Sequence, residues 1–325
     1  MSAPQGSPAV LAARAFARAG LSDADALVVS ARDGGLRRAA NACRAHRKVA
    51  VLTGPAAGPA ELARELFPVT PRTFVVCEDL DGPAERIERV RPAEATTRPW
   101  RDPQLVLVLD PFGRFDEPSW LAGTPPGPAG WALPAAAFAR PAAPAAVRAL
   151  VLARVGPRVG DLVWDAGDAA GPVAVECARL GAAAVAVAAD RAARAAIRAD
   201  VAAHRVKAAV ARGSSPAVLA HLPEPDAVVV TGDAGLAARC AARALRTAVA
   251  VHAAPEPAEA AADAFRAAGF AVETISLTTG TEADGPRRAP EHAYVVCGDR
   301  EPGRGVPQRP AAPPARRVET LAEPW

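Results

Sequence analysis

The residues with the clearest chemical potential gather in one stretch, Leu162-Val163-Trp164-Asp165-Ala166-Gly167-Asp168-Ala169-Ala170-Gly171-Pro172. An apolar run ends in a carboxylate, crosses a turn of small residues and opens a helical pattern from Val173 to Leu180. Such a strand–loop–helix corner can receive the charged and ribose groups of a nucleoside. Glycines let the backbone come close, and the helix start offers unpaired N–H groups at the positive end of its dipole. Asp165, Gly167 and Gly171 occupy the positions this loop needs, Asp168 adds a second carboxylate, and Ala169 stands where a middle glycine would. Pro172 suits the first helical turn.

Further candidates follow at later strand ends. Vicinal ribose hydroxyls need an acid closing the second strand, and Val187-Ala188-Ala189-Asp190 offers only Asp190, which serves equally well as the cap of the next helix. Gly213 and Ser214 are placed to touch a nucleobase edge or simply to start a helix at Pro216. Thr231-Gly232-Asp233 closes the fourth strand, so Gly232 and Asp233 would face the reacting end of the ligand. Arg148, on the helix ahead of the corner, is placed to meet substrate carboxylates. In the first third, Ser30, Arg32 and Asp33 read as a capped turn before they read as a ligand contact.

The elements that must position these groups alternate regularly. Helices at Pro8–Ala19, Leu36–Ala45 and Pro59–Phe67 separate strands at Ala26–Ala31, Lys48–Leu52 and Thr73–Cys77, with a weak strand at Glu88–Val90 and another at Leu105–Leu109. Residues 1–110 are therefore expected to form a small α/β domain. Residues 111–142, dense in proline and glycine, read as a linker, with Trp120 and Trp131 docking it onto a domain. Residues 143–298 are expected to form a doubly wound domain. Its parallel strands lie at Leu162–Ala166, Ala183–Ala188, Ala208–Ala211, Ala227–Val230 and Thr247–His252, and it closes with a hairpin, Ala271–Leu277 and His292–Cys297. The tail, residues 299–325, is rich in proline and arginine and is expected to be disordered.

Composition narrows the function classes. The chain has 325 residues, half of them apolar, and a net charge of +3. No basic run is interleaved with aromatics, which argues against nucleic acid. No apolar run approaches the ~20 residues that span a bilayer, so no membrane is expected. The five cysteines are odd in number and widely spaced, and the five histidines are dispersed. No metal site is expected, and buried reduced thiols in the cytoplasm fit best.

Several strings resemble the bifunctional precorrin (C5,15)-methyltransferase/decarboxylase family of cobalamin biosynthesis. They include Ala26-Leu27-Val28-Val29-Ser30-Ala31, Lys48-Val49-Ala50-Val51-Leu52-Thr53 and Val75-Val76-Cys77-Glu78-Asp79-Leu80. Arg98-Pro99-Trp100-Arg101-Asp102-Pro103, Gly160-Asp161-Leu162-Val163-Trp164-Asp165 and Leu222-Pro223-Glu224-Pro225-Asp226-Ala227-Val228 continue the series in the family's order. The resemblance implies a tetrapyrrole-methylase-like half-domain followed by a Rossmann-like class I methyltransferase domain. It further implies S-adenosylmethionine as cofactor, held by Asp165, Gly167, Asp168, Gly171, Asp190, Gly213, Ser214 and Gly232. Its substrate would be an acidic tetrapyrrole or another carboxylate-rich molecule, met by Arg148 and Asp233, and the chain would assemble as a homo-oligomer through its second domain.

The departures point the other way. The chain begins about where the second half of the family's first module would. Ala143-Pro144-Ala145-Ala146 replaces the polar residues of the substrate-facing helix, and the second-strand acid is Ala188. A methyl group forced into glycine's conformation at Ala169 is expected to cost about 1–2 kcal/mol, and a lost ribose hydrogen bond about 1.5–3 kcal/mol. Two readings follow: a methyltransferase, or an inactive descendant that binds or scaffolds.

Overall fold

The computed structural model describes residues 7–66, 71–111, 127–128, 130–213, 215–280 and 291–300. The first domain contains α1 (Pro8–Arg18), β1 (Leu27–Ser30), α2 (Leu36–Ala45), β2 (Lys48–Leu52) and α3 (Pro59–Leu66). It continues with β3 (Thr73–Glu78), β4 (Arg86–Val90), α4 (Pro92–Ala95) and β5 (Pro103–Leu109). The sheet runs β1-β2-β5-β3-β4; β1 and β2 are parallel and the other pairs antiparallel. Ser7 caps α1 by accepting from the Val10 N–H, with Pro8 in the first turn. Helix α4 escapes the sequence reading because one turn carries no periodic signal.

The second domain contains α5 (Ala145–Val155), β6 (Leu162–Gly167), α6 (Pro172–Arg179), β7 (Ala183–Ala188), α7 (Arg191–Ala203) and β8 (Ala209–Arg212). After these come α8 (Pro216–His221), β9 (Ala227–Thr231), α9 (Ala234–Ala241), β10 (Thr247–His252), α10 (Pro255–Ala267), β11 (Ala271–Thr279) and β12 (Glu291–Asp299). The strand order is β11-β12-β10-β9-β6-β7-β8, with β12 antiparallel to both neighbours and the rest parallel. The central strands are buried on both faces, which explains why β7 and β9 read as unbroken apolar runs. Strand order reverses between β6 and β9, and the carboxyl ends of those two strands define the crevice where open α/β sheets take ligands.

The two domains touch through α2. Arg37 holds both Asp226 oxygens at 2.9 Å, and Asn41 donates to the Gly160 carbonyl at 3.1 Å.

Two sequence expectations change. Trp131 does not dock the linker: it is 60% exposed, and Trp120 lies outside the described residues. The segment from Ala132 to Ala139 is tied down by polar contacts instead. The N–H groups of Ala132 and Leu133 donate to Glu176, and that of Ala139 donates to Asp200. The last strand also passes the expected tail boundary, for Asp299 ends β12 and accepts from the Thr247 hydroxyl at 2.8 Å. Residues 301–325 lie outside the description.

Candidate active-site crevice

The corner singled out in the sequence stands at the switch point. Gly167 ends β6 directly opposite Thr231 at the end of β9. Its φ of +120° already requires glycine, and a Cβ there would lie 1.7 Å from the Thr231 carbonyl oxygen. Gly171, at φ +131°, would drive a Cβ to 2.8 Å from Ile197. Both glycines thus serve close packing within the protein.

The loop spends its own N–H groups. Asp165 is buried, and one of its carboxylate oxygens accepts from Gly171 at 2.7 Å and Ala174 at 3.0 Å. Burial pushes its pKa up to about 6, against the opposing pull of the Gly171, Ala174 and Val173 N–H groups. Asp165 therefore fills the helix start that the sequence pattern turns toward a ligand. Asp168 N–H donates to the Thr231 carbonyl at 3.0 Å, and Ala169 N–H to the Thr231 hydroxyl at 3.1 Å. Thr231 clasps the loop to β9. Ala169 is exposed and absent from the positive-φ residues among those described. The strain expected from its methyl group does not arise.

Around the clasp lie two small cavities. One, of about 110 Å³, is lined by Gly167, Asp168, Ala189, Gly232, Asp233 and Arg239, among others. The other, of about 30 Å³, lies toward α5 beside Asp165, Ala169 and Val173. Asp168 is exposed at the rim. Asp233 caps α9, accepting from Leu236 N–H at 2.6 Å. At Gly232 a Cβ would meet the Leu236 side chain at 3.1 Å, so this glycine too serves packing within the protein.

Several predicted site residues are engaged elsewhere. Asp190 caps α7 through Ala193 N–H at 2.6 Å, the role that the sequence reading set beside the ribose contact. Arg194, on α7, donates to the carbonyls of Ala188 (3.0 Å) and Ala189 at the end of β7. Gly213 donates to the Ala188 carbonyl at 3.1 Å and is no part of either cavity lining; Ser214 lies outside the described residues. Arg148, expected to meet substrate carboxylates, lines the smaller cavity but has its guanidinium engaged within the fold. It is 2% exposed, pairs with Glu176 at 2.5 Å, and donates to the carbonyls of Ala143 (3.0 Å) and Leu133. A buried charge needs such a partner, and the lone Glu176 within the apolar run of α6 was the sequence signal for it.

One residue escaped the sequence reading. Arg239 lines the larger cavity, and its Nε is buried without a hydrogen-bond partner. It lies on α9 five residues beyond the helix start, where an arginine among scattered arginines carries no distinguishing pattern.

Known proteins meet this chain in its second domain. Residues 142–294 match the family model described as a precorrin methyltransferase domain. The C-terminal domain of precorrin-6Y C5,15-methyltransferase from Rhodobacter capsulatus is similar at 26% identity, covering 52% of this chain and 97% of that one, with a TM-score of 0.44. Precorrin 8W decarboxylase from Methanobacterium thermoautotrophicum is 19% identical over 50% of this chain and 94% of that one, TM-score 0.42. Magnesium protoporphyrin IX methyltransferase from Synechocystis PCC 6803, with bound SAM, is 16% identical over 48% and 79%, TM-score 0.37. No curated protein matches. The family-model match thus covers just under half of the chain.

Proposed function

We propose that residues 142–294 act as an S-adenosylmethionine-dependent C-methyltransferase on an acidic tetrapyrrole of the precorrin kind. The family match over that segment carries the reading. The crevice residues fit the polar end of such a cofactor. Arg239, with its orphaned buried Nε, suits a carboxylate, and Asp168 at the rim suits an ammonium group. Gly232 lines the same cavity. When bound, the cofactor supplies an electrophilic methyl group.

The chain's own work is positioning and exclusion. Gly167 and Thr231 hold the ends of β6 and β9 together, and Asp233 fixes the start of α9, on which Arg239 rides. The cavities beside the clasp fall below the ~300 Å³ of ordinary ligand sites. The Ala169–Thr231 hydroxyl bond stands between them. The five buried free thiols support a reducing compartment, and we infer the cytoplasm.

The test is calorimetry of the whole chain with S-adenosylhomocysteine, beside a methyl-transfer assay from S-adenosylmethionine to an acidic tetrapyrrole. A single site with Kd below about 1 mM, weakened at least tenfold by Arg239→Gln, is the expected result. No binding at millimolar ligand overturns the reading and leaves the fold a non-catalytic role.

A further inference from the structure

A second cavity, of about 360 Å³, lies between the two domains. It reaches the starts of β6, β7 and β8 at Leu162, Ala183 and Ala209, the opposite end of the strands from the crevice. Among the described residues its polar wall carries Arg44, Arg47, Arg72 and Lys207 beside the carboxylate of Asp110. Its other wall is apolar, built from Leu162, Val185, Val201, Val206 and Leu222.

Two of the cations are fixed in direction by carbonyl and amide oxygens, with the Glu65 carboxylate near Arg44 and that of Asp110 near Arg72. Arg72 is 6% exposed and spends its guanidinium on the carbonyls of Cys43 (3.0 Å), Pro71 (2.7 Å) and Arg44 (3.3 Å). Arg44 donates to the Asn41 side chain at 2.6 Å and to the Glu65 carbonyl. Lys207 crosses from the second domain to pair with Asp110 of the first. Burial lowers the Lys207 pKa, and repulsion from Arg72 adds to the effect, while the bond to Asp110 opposes it. Carbonyl partners orient a guanidinium without cancelling its charge, so a prepositioned cationic wall faces an apolar surface.

We propose that this interdomain cavity binds an amphipathic small-molecule anion, with a carboxylate or phosphate head toward Arg72, Arg47 and Lys207 and an apolar body against β7 and α7. Planar guanidinium groups suit either head. The volume sits within the range of small-ligand sites, and the apolar wall selects against inorganic ions. The assignment is independent of the methyltransferase reading.

Fluorescence titration of the whole chain with 8-anilino-1-naphthalenesulfonate, a sulfonate on an aromatic body, tests it. One saturable site is expected, weakened about tenfold by Arg47→Gln and by Lys207→Met, the loss of one charge-assisted contact each. Ala209→Phe, which fills the apolar wall, should abolish binding while circular dichroism shows the fold intact. Displacement by phenylacetate identifies a carboxylate site, and displacement by phenyl phosphate a phosphate site. Equal affinity for uncharged N-phenyl-1-naphthylamine overturns the proposal, as does a titration unchanged in all three variants.

Discussion

The two sheets end their parallel strands in different ways. In the first domain the ends of β1 and β2 open onto a cleft of about 1050 Å³, where Arg32, Asp33, Thr53, Glu61, Trp100 and Gln104 stand around the space. In the second, the ends of β6 and β9 are pinched together, with about 110 Å³ on one side and 30 Å³ on the other. The second domain holds the recognisable loop, and the first holds the room. The difference lies in where backbone donors go. Around Asp165 and Thr231 the loop N–H groups are satisfied from within, so the same residues that make the corner legible also close it. In the first domain the Arg32 side chain reaches across from the end of β1 to the Thr53 carbonyl just past β2 (2.7 Å), and the cleft beside it stays wide.

This contrast can be broken by stability before it is broken by binding. The largest effect belongs to Arg148→Met, which leaves buried Glu176 with only the more distant Arg179 (3.7 Å) and two backbone N–H groups and should cost about 3 kcal/mol by urea denaturation. Pairing it with Glu176→Leu should return part of that loss, and an unchanged denaturation midpoint in the single variant would refute the buried role of Arg148. Gly167→Ala comes next, with a loss of about 3 kcal/mol expected from backbone strain and the clash with Thr231. A neutral outcome would show that β6 and β9 are not pinched.

Asp165 ties the contrast to pH. Folding raises its pKa from an ordinary 3.8 to about 6, so the folded chain holds the extra proton between those values. The resulting stability is present below the lower value and is lost as pH rises through the upper one, on the order of 1–3 kcal/mol. Asp165→Asn should flatten that part of the stability profile, measured by denaturation between acid and neutral pH. Thr231→Gly should cost about 1 kcal/mol yet raise S-adenosylhomocysteine affinity about tenfold by freeing the loop. The smallest effect is reserved for Ala169→Gly. With no strain to relieve, it should change stability by no more than about 1 kcal/mol and leave affinity where it was; a large gain in affinity would restore the blocked-glycine account.

Much of the second sheet was legible because its strands are buried on both faces and bounded by glycine, proline and caps. The ranges Ala183–Ala188 and Thr247–His252 coincide in sequence reading and structure. The hairpin of β11 and β12 was legible too, since no helical period separates its strands. Site residues were less so. Asp190 and Arg148 are polar groups at suggestive positions, yet their partners, Ala193 N–H and Glu176, are chosen by packing across the fold or by the turn itself. The Thr231 clasp joins positions far apart in the chain, and no local pattern announces it.

Asp226 has a consequence beyond its own strand. One of its oxygens accepts from Leu162 N–H at 2.8 Å inside the second sheet, while both receive Arg37 from α2. A single side chain therefore sets the start of β6 and anchors the neighbouring domain. Loosening of that strand end and loss of the Arg37 anchor are therefore expected to go together, since both depend on one carboxylate.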